Sequence, residues 1–401
     1  MSKNNIQALK GAALAELTQN ILPYWMNNTI DNENGGFLGN IDFYGNVDKF
    51  ATKGGVQNAR ILWTFSKAFN VLGEKKYLDI ATRAYEYINT YFKDKEFNGI
   101  YWELDYKGQP KNTQKYCYAQ GFWIYGLSEY FTATKNQKAL DLALEIFTLI
   151  EEKAVDRVKN GYIEAFSNNW ERATELRLSA KDLNESKTYN THLHVLEGYA
   201  SLYRVSKNEK VGKALENLVE LMLDKFYNPK NNHFNLFFND DWQINGDLVS
   251  YGHDIEGSWL LWDAIIALDN DTLKKKALSP VLKIVDTTIV ESIDQDGGQY
   301  YEGNSTGVDD YDKHWWPQAE AAIGFVNAWQ LTGNNAYLTH AHNSWNFIEK
   351  FIVDNERGEW IWKVSKEGLQ DKNEARAGFW KCPYHNSRAC FEIIERLKNI
   401  S

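Results

Sequence analysis

Cysteine is scarce. Cys117, Cys382 and Cys390 are the three in 401 residues, an odd set without C-x-x-C spacing. That excludes a complete disulfide framework and reads as reduced core thiols of a cytoplasmic protein. Long apolar runs are missing as well, so no segment reads as a bilayer span and no membrane partner is expected. The opening stretch, MSKNNIQALKGAALAELTQNILPYW, has helical periodicity but no apolar core followed by a small-residue cleavage site, unlike a signal peptide. No basic block accompanies the formal net charge of -10, which argues against nucleic acid as a partner. Neither a G-x-x-x-x-G-K-S/T nor a G-x-G-x-x-G phosphate cradle occurs, so nucleotide chemistry lacks support and no cofactor is expected.

Aromatic residues are abundant instead: 15 Trp, 23 Tyr and 20 Phe make up 14% of the chain. Their flat apolar faces suit the C–H face of a sugar ring, which raises carbohydrate above other small molecules.

A repeat is legible at the turns. "DNENGGFLGNIDFYG", "DKEFNGIYWELDYKG", "DRVKNGYIEAFSNNW", "NPKNNHFNLFFNDDW", "DQDGGQYYEGNSTG" and "DNERGEWIWKVSKEG" each open on Asp or Asn, turn on Gly or Asn, and continue with alternating aromatic or β-branched residues, as short hairpins do. Gly36, Gly99, Gly161, Asn232, Gly298 and Gly358 mark them at spacings of 63, 62, 71, 66 and 60 residues. Between them the helical period recurs, over 56–71, 76–92, 115–133, 137–152, 191–205, 211–226, 254–269 and 336–352 among others. Short polar joints alternate with hairpin steps along this series. Twelve helices in six hairpins, none able to bury its stripe alone, predict an all-α fold: an (α/α)6 barrel with short β-hairpins roofing one end, formed by residues 1–401 as a single domain. The helix after each β-hairpin is the second of its unit. If these even-numbered helices form the inner ring, their N-termini converge beneath the roof, and that end is the candidate pocket.

The unusual chemistry sits there. Asn190 and His194 share a helix face in "YNTHLHVLE", His253 lies in "SYGHDIEGSW", and His385 follows Pro383 in "KCPYHNSRAC". A helix N-terminus disfavours imidazolium, so these three histidines are expected as neutral proton acceptors. His192, His233, His314, His340 and His342 read as structural. His194…Glu197 and His253…Glu256 are both H-x-x-E pairs, yet no third ligand at matching spacing accompanies them; Glu256 reads as the group that orients His253, and no metal is expected. Asp182, Glu256 and Glu320 are the carboxylates a hydrolase would need, but hydrolysis leaves three histidines unexplained. Arg60, among apolar residues in "NARILW", is expected to face the pocket and bind sugar hydroxyls or an oxyanion.

Together "NARILWTF", "YNTHLHVLEGYASLYRV", "SYGHDIEGSWLL", "DKHWWPQAE" and "FWKCPYHNSRACFE" resemble the cellobiose 2-epimerases of the N-acylglucosamine 2-epimerase superfamily, over about residues 10 to 398. The resemblance implies the same barrel and reversible epimerisation at C2 of the reducing-end sugar of β-1,4-linked disaccharides, without metal or nucleotide. It implies His253 and His385 as the acid/base pair and His194 as a further proton donor. Arg60, Tyr118, Asn190 and Glu256 would hold the reacting sugar, with Trp316 and Trp380 stacking on the rings. Cys382 stands where some relatives have glycine. An aldose–ketose isomerase, an N-acylglucosamine 2-epimerase or a hydrolytic or non-catalytic carbohydrate barrel remain alternatives on the same scaffold. A monomer or weak homodimer is expected.

Overall fold

The computed structural model describes residues 3–398 and is built from twelve helical segments among them. In chain order these are α1 (3–28), α2 (Gly55–Leu72), α3 (75–92), α4 (Cys117–Thr134), α5 (Gln137–Lys153), α6 (Tyr189–Ser206), α7 (209–226), α8 (Tyr251–Leu268), α9 (Asp271–Glu291), α10 (Trp315–Thr332), α11 (335–352) and α12 (Tyr384–Arg396). All eight segments read from periodicity are helical, with ends within three residues of the prediction. α1, α3, α7 and α11 each contain a π-helical turn, as at Ile88–Phe92.

Burial sorts the helices into two layers. α2 is buried continuously from Gly55 to Ser66, whereas α5 buries only the stripe Ala139, Leu140, Leu142, Ala143, Ile146, Phe147 and Ile150. A helix apolar all round belongs inside and a striped one outside. Each even-numbered helix packs on the next, and α12 packs on α2, so the inner layer closes into a ring. Close packing of α4 on α6 depends on Gly121 and Gly198: a Cβ on Gly198 would stand 2.5 Å from the Gly121 carbonyl oxygen. The joints between units also repeat. α4, α6 and α8 end in the left-handed residues Lys135, Lys207 and Asp269, and Asn136, Asn208 and Asn270 then cap the following helices by accepting backbone N–H bonds.

The six predicted hairpins are present as antiparallel bridges, Ile30–Phe37, Lys93–Ile100, Val155–Tyr162, Asn228–His233, Ile293–Gln299 and Val353–Trp360. They are linked into a roof. The two residues before each of α2, α4, α6, α8 and α10 pair with the next unit's hairpin, as Lys53 does with Leu104 and Lys313 with Val364; Ala377, before α12, pairs with Ile41 of the first unit. The roof therefore closes with the same order as the ring beneath it.

Most units fasten hairpin to inner helix through a buried lysine paired with the aspartate of the turn. Asp31, Asp94, Asp156 and Asp294 accept backbone N–H bonds within their turns and hold Lys53, Lys115, Lys187 and Lys313 at 2.8, 2.6, 2.7 and 2.7 Å. Asp354 of the sixth unit holds Arg376 at 2.7 Å instead. The aspartate-led turn is a structural device, as its recurrence suggested.

Candidate active site

The inner helices open, beneath the roof, into a cavity of about 390 Å³. Arg60, Tyr118, Asn190, His194, His253, Glu256, Trp316, Trp380 and His385 all line it, so every site residue singled out in the sequence converges on one space. His253 is the third residue of α8 and His385 the second of α12, within the reach of a helix dipole; His194 is the sixth of α6, a turn further in.

All three imidazoles are anchored by Nδ1. His385 Nδ1 lies 2.7 Å from Glu320 Oε1, His194 Nδ1 3.0 Å from Glu197 Oε2, and His253 Nδ1 2.7 Å from Ser250 Oγ. An ionised carboxylate requires the proton on Nδ1, which leaves Nε2 of His385 and of His194 for the cavity, as a lone pair on the neutral His385. Burial, reinforced by the nearby charges of His194 and Arg60, pushes His253 down to about 3. Burial, with Arg60 and Arg388 next, holds His385 well below the ordinary imidazole range. Both are neutral bases at pH 7.

The expected pairing of Glu256 with His253 does not form. Glu256 Oε1 accepts from Arg388 Nη2, and Ser250 takes the place at His253. The guanidinium wins because Arg388, fully buried, offers several donors where three carboxylates meet: it also bonds Glu320 Oε1 at 2.7 Å and Glu197 Oε1. Tyr384 Oη donates to Glu197 at 2.7 and 2.6 Å, and Trp259 Nε1 donates to Glu320 Oε2 at 3.0 Å. Burial pushes Glu197 up, but Arg388 and His194 outweigh it and hold the carboxyl at about 2. Burial and the charge of Glu320 push Glu256 up to about 7, and burial pushes Glu320 up to about 7 against Arg388.

Glu256, Glu320 and His385 place ligand-type atoms within 4.8 Å of one another, the one such group among the described residues. Arg388 already bonds both carboxylates, so the cation these acids call for is built into α12.

Arg60 is 3% exposed and donates to Tyr118 Oη at 2.8 Å; its guanidinium carbon lies over Phe122 and Tyr384, 4.2 and 4.6 Å from their ring centroids, and its Nε has no partner. Cys382 Sγ is 3.9 Å from Nη1, so this thiol borders the arginine rather than the histidines. The Trp316 ring lies 4.8 Å from His253 and 5.5 Å from His385, centroid to centroid.

Sequence reasoning missed three parts of the site. Arg388 and Glu320 lie inside the quoted motifs but were not joined to the histidines. His314, set aside as structural, lines the cavity and stacks on Tyr301 at 3.7 Å. The segment carrying Leu176–Leu183, of which the sequence pointed only to Asp182 and to that only as a hydrolase carboxylate, borders the opening, where Glu302 and Lys363 also stand. The aromatic surplus, conversely, is chiefly packing. Trp25, Trp123, Trp259, Trp345 and Trp360 are fully buried, and four tryptophans, Trp315, Trp316, Trp362 and Trp380, reach the cavity. Two helical layers have a wide annular core to fill.

The model of the family described as N-acylglucosamine 2-epimerase matches residues 36–389. The chain belongs to this family. A cellobiose 2-epimerase of Bacteroides fragilis is 44% identical, over 97% of this chain and 99% of its own. The solved cellobiose 2-epimerase of Bacillus thermoamylovorans B4167 superposes with a TM-score of 0.94 at 39% identity, covering 97% of this chain and 100% of that one. These N-acylglucosamine 2-epimerase relatives establish the architecture as an (α/α)6 barrel. A D-mannose isomerase structure, at 21% identity and a TM-score of 0.83 over 98% of each chain, shares the fold.

Proposed function

We propose that the protein epimerises C2 of the reducing-end glucose of β-1,4-linked disaccharides, converting cellobiose reversibly to 4-O-β-glucosyl-mannose. One observation carries the reading: His253 and His385, both neutral and both fixed at Nδ1, line one cavity beside Trp316 with Arg60 in the same wall, in a chain 44% identical to a cellobiose 2-epimerase.

The steps follow from these groups. His194 gives a proton to the ring oxygen while the O1 proton passes to the imidazole that later protonates C2, opening the pyranose to the aldehyde. One imidazole Nε2 then removes the C2 proton. The C–H pair becomes the C1–C2 π bond and the carbonyl electrons move to O1, giving an enediolate that Arg60 stabilises. The other imidazole returns a proton to the opposite face of C2, and the ring closes as a mannose. Tyr118, Asn190 and Glu256 hold the reacting sugar, while Trp316 and Trp380 stack on the two rings. The reaction uses no metal, a reading supported by the arginine that already occupies the carboxylate cluster. We read the chain as one domain, a monomer or weak dimer of the cytoplasm. Its three buried, unpaired cysteines fit that setting, and no described helix is long and apolar enough to cross a membrane.

Incubation with cellobiose in D2O tests the reading. The expected product is 4-O-β-glucosyl-mannose with deuterium at C2. A 4-O-glucosyl ketose as sole product would reassign the site to isomerisation, and free glucose would reassign it to hydrolysis.

A further inference from the structure

Three carboxylates surround a single buried guanidinium, and the donors around them are unequally shared. Glu320 accepts from three groups: His385 Nδ1, Arg388 Nη2 and Trp259 Nε1. Glu197 also accepts from three, Arg388 Nη1, the Tyr384 hydroxyl and His194 Nδ1. Glu256 accepts from Arg388 Nη2 alone; its Oε2 is buried and without a partner, on a residue that is 0% exposed. A buried carboxylate oxygen with no donor is costly, and a cluster of three acids on one arginine carries excess negative charge. Both faults are removed by one proton, and only one of the three acids has an oxygen free to take it.

We propose that Glu256 is a neutral carboxylic acid in the working enzyme, with the proton on Oε2 as a hydrogen-bond donor for an oxygen of the reacting sugar. This deepens the epimerase reading and rests on it for the identity of that oxygen. The groups facing Glu256 agree with the assignment. From α10 comes Glu320; from α12 come Arg388, Tyr384 and His385, whose Nδ1 is 3.9 Å away and already committed to Glu320; from α6 come His194, Glu197 and Tyr189; and from α4 comes Tyr118. Glu197 is held low by Arg388 and His194, and although burial raises Glu320 as it raises Glu256, both Glu320 oxygens already accept from donors, so the free Oε2 of Glu256 is where the proton fits. Burial and the Glu320 charge favour the protonated form in the same direction. A carboxylic acid kept neutral near pH 7 by a dry site is a known way to supply a donor. At C1 or C2 such a donor stabilises oxygen charge as the enediolate develops, and an ionised Glu256 would oppose it.

The test compares the wild-type protein with Glu256→Gln and Glu320→Gln. Glutamine is the isostere of a neutral acid. Glu256→Gln is therefore expected to fold with thermal stability near that of the wild type, while Glu320→Gln, which removes an ionised acceptor of three donors, is expected to melt measurably lower. The infrared difference spectrum of wild type minus Glu256→Gln at pH 7 should contain the carbonyl stretch of a protonated carboxyl, shifted in D2O. Other buried acids such as Glu164 cancel in that difference. Epimerisation by Glu256→Gln should fall by less than about tenfold, the scale of one altered hydrogen bond, and should lose the alkaline decline caused by titration of Glu256. Absence of the carbonyl band, or a Glu256→Gln protein that fails to fold or melts as low as Glu320→Gln, would overturn the assignment. A wild-type protein inert towards cellobiose would sink the functional reading while leaving the spectroscopic result standing.

Discussion

The two imidazoles beside Trp316 are held by different chemistry. His385 leans on Glu320, itself bound by Arg388 and Trp259 and 0% exposed, so its anchor is an ionic network buried on all sides. His253 leans on Ser250, a hydroxyl at the N-terminal edge of α8. A carboxylate accepts only, which commits His385 to the Nδ1–H tautomer and leaves Nε2 as a base. A hydroxyl rotates to accept or donate, so Ser250 supports either tautomer of His253. Under the proposed epimerisation the difference gives the two rings unlike duties: His385 is preset to remove a proton, whereas His253 can receive or return one without rearranging its anchor.

Removing either ring has the largest expected effect. His253→Ala and His385→Ala should each lower kcat for cellobiose by about 10²–10⁴-fold, the usual loss for one member of an acid/base pair, while sugar-induced tryptophan fluorescence persists. Near wild-type epimerisation by either variant would remove that ring from the proton path. The anchors should rank below the rings and unequally. Glu320→Gln turns the acceptor face into one that can donate, favouring the wrong tautomer of His385; the loss should be on the order of 10²-fold, short of the ~10⁴-fold recorded for such a change in a serine protease triad. Ser250→Ala deletes one neutral hydrogen bond of about 1 kcal/mol, roughly fivefold in rate. Equal losses for Glu320→Gln and Ser250→Ala would erase the distinction between the two sides.

The repeat was legible because its turn signals are local: an aspartate start and a Gly or Asn at positive φ, as at Gly99, Gly161 and Asn232, are dictated by a few neighbouring residues. The convergence of His194, His253 and His385 was legible as a consequence of that repeat. Their anchors were less so. The H-x-x-E spacing reads the contact of His194 with Glu197 correctly and that of His253 with Glu256 wrongly, since i, i+3 spacing permits a contact but does not enforce it. What decides is Arg388, 132 residues beyond Glu256, which supplies more donors than an imidazole can. Glu320 and His385 are likewise 65 residues apart and meet only because α10 and α12 are neighbours in the ring.

The smallest expected effect concerns the fourth unit, which carries His253 and departs from the others. Asn228 stands where they have aspartate, Val249 stands where four of them have lysine, and a cleft of about 710 Å³ opens beside these residues. The hairpin is tied down by His233 instead, with Nδ1 2.7 Å from Asp254 Oδ2 and Nε2 3.1 Å from Glu291 Oε2, joining it to α8 and α9. Burial lowers the His233 pKa, but the two carboxylates outweigh it and raise it above the ordinary value. A histidine raised on folding contributes stability that is full below its unfolded pKa of about 6.5 and is lost as pH rises through the folded value. The melting-temperature gap between wild type and His233→Gln should therefore be wider at pH 6 than at pH 9. An equal gap at both would mean that His233 acts as a neutral hydrogen-bonding group, and that the fourth hairpin is held without charge.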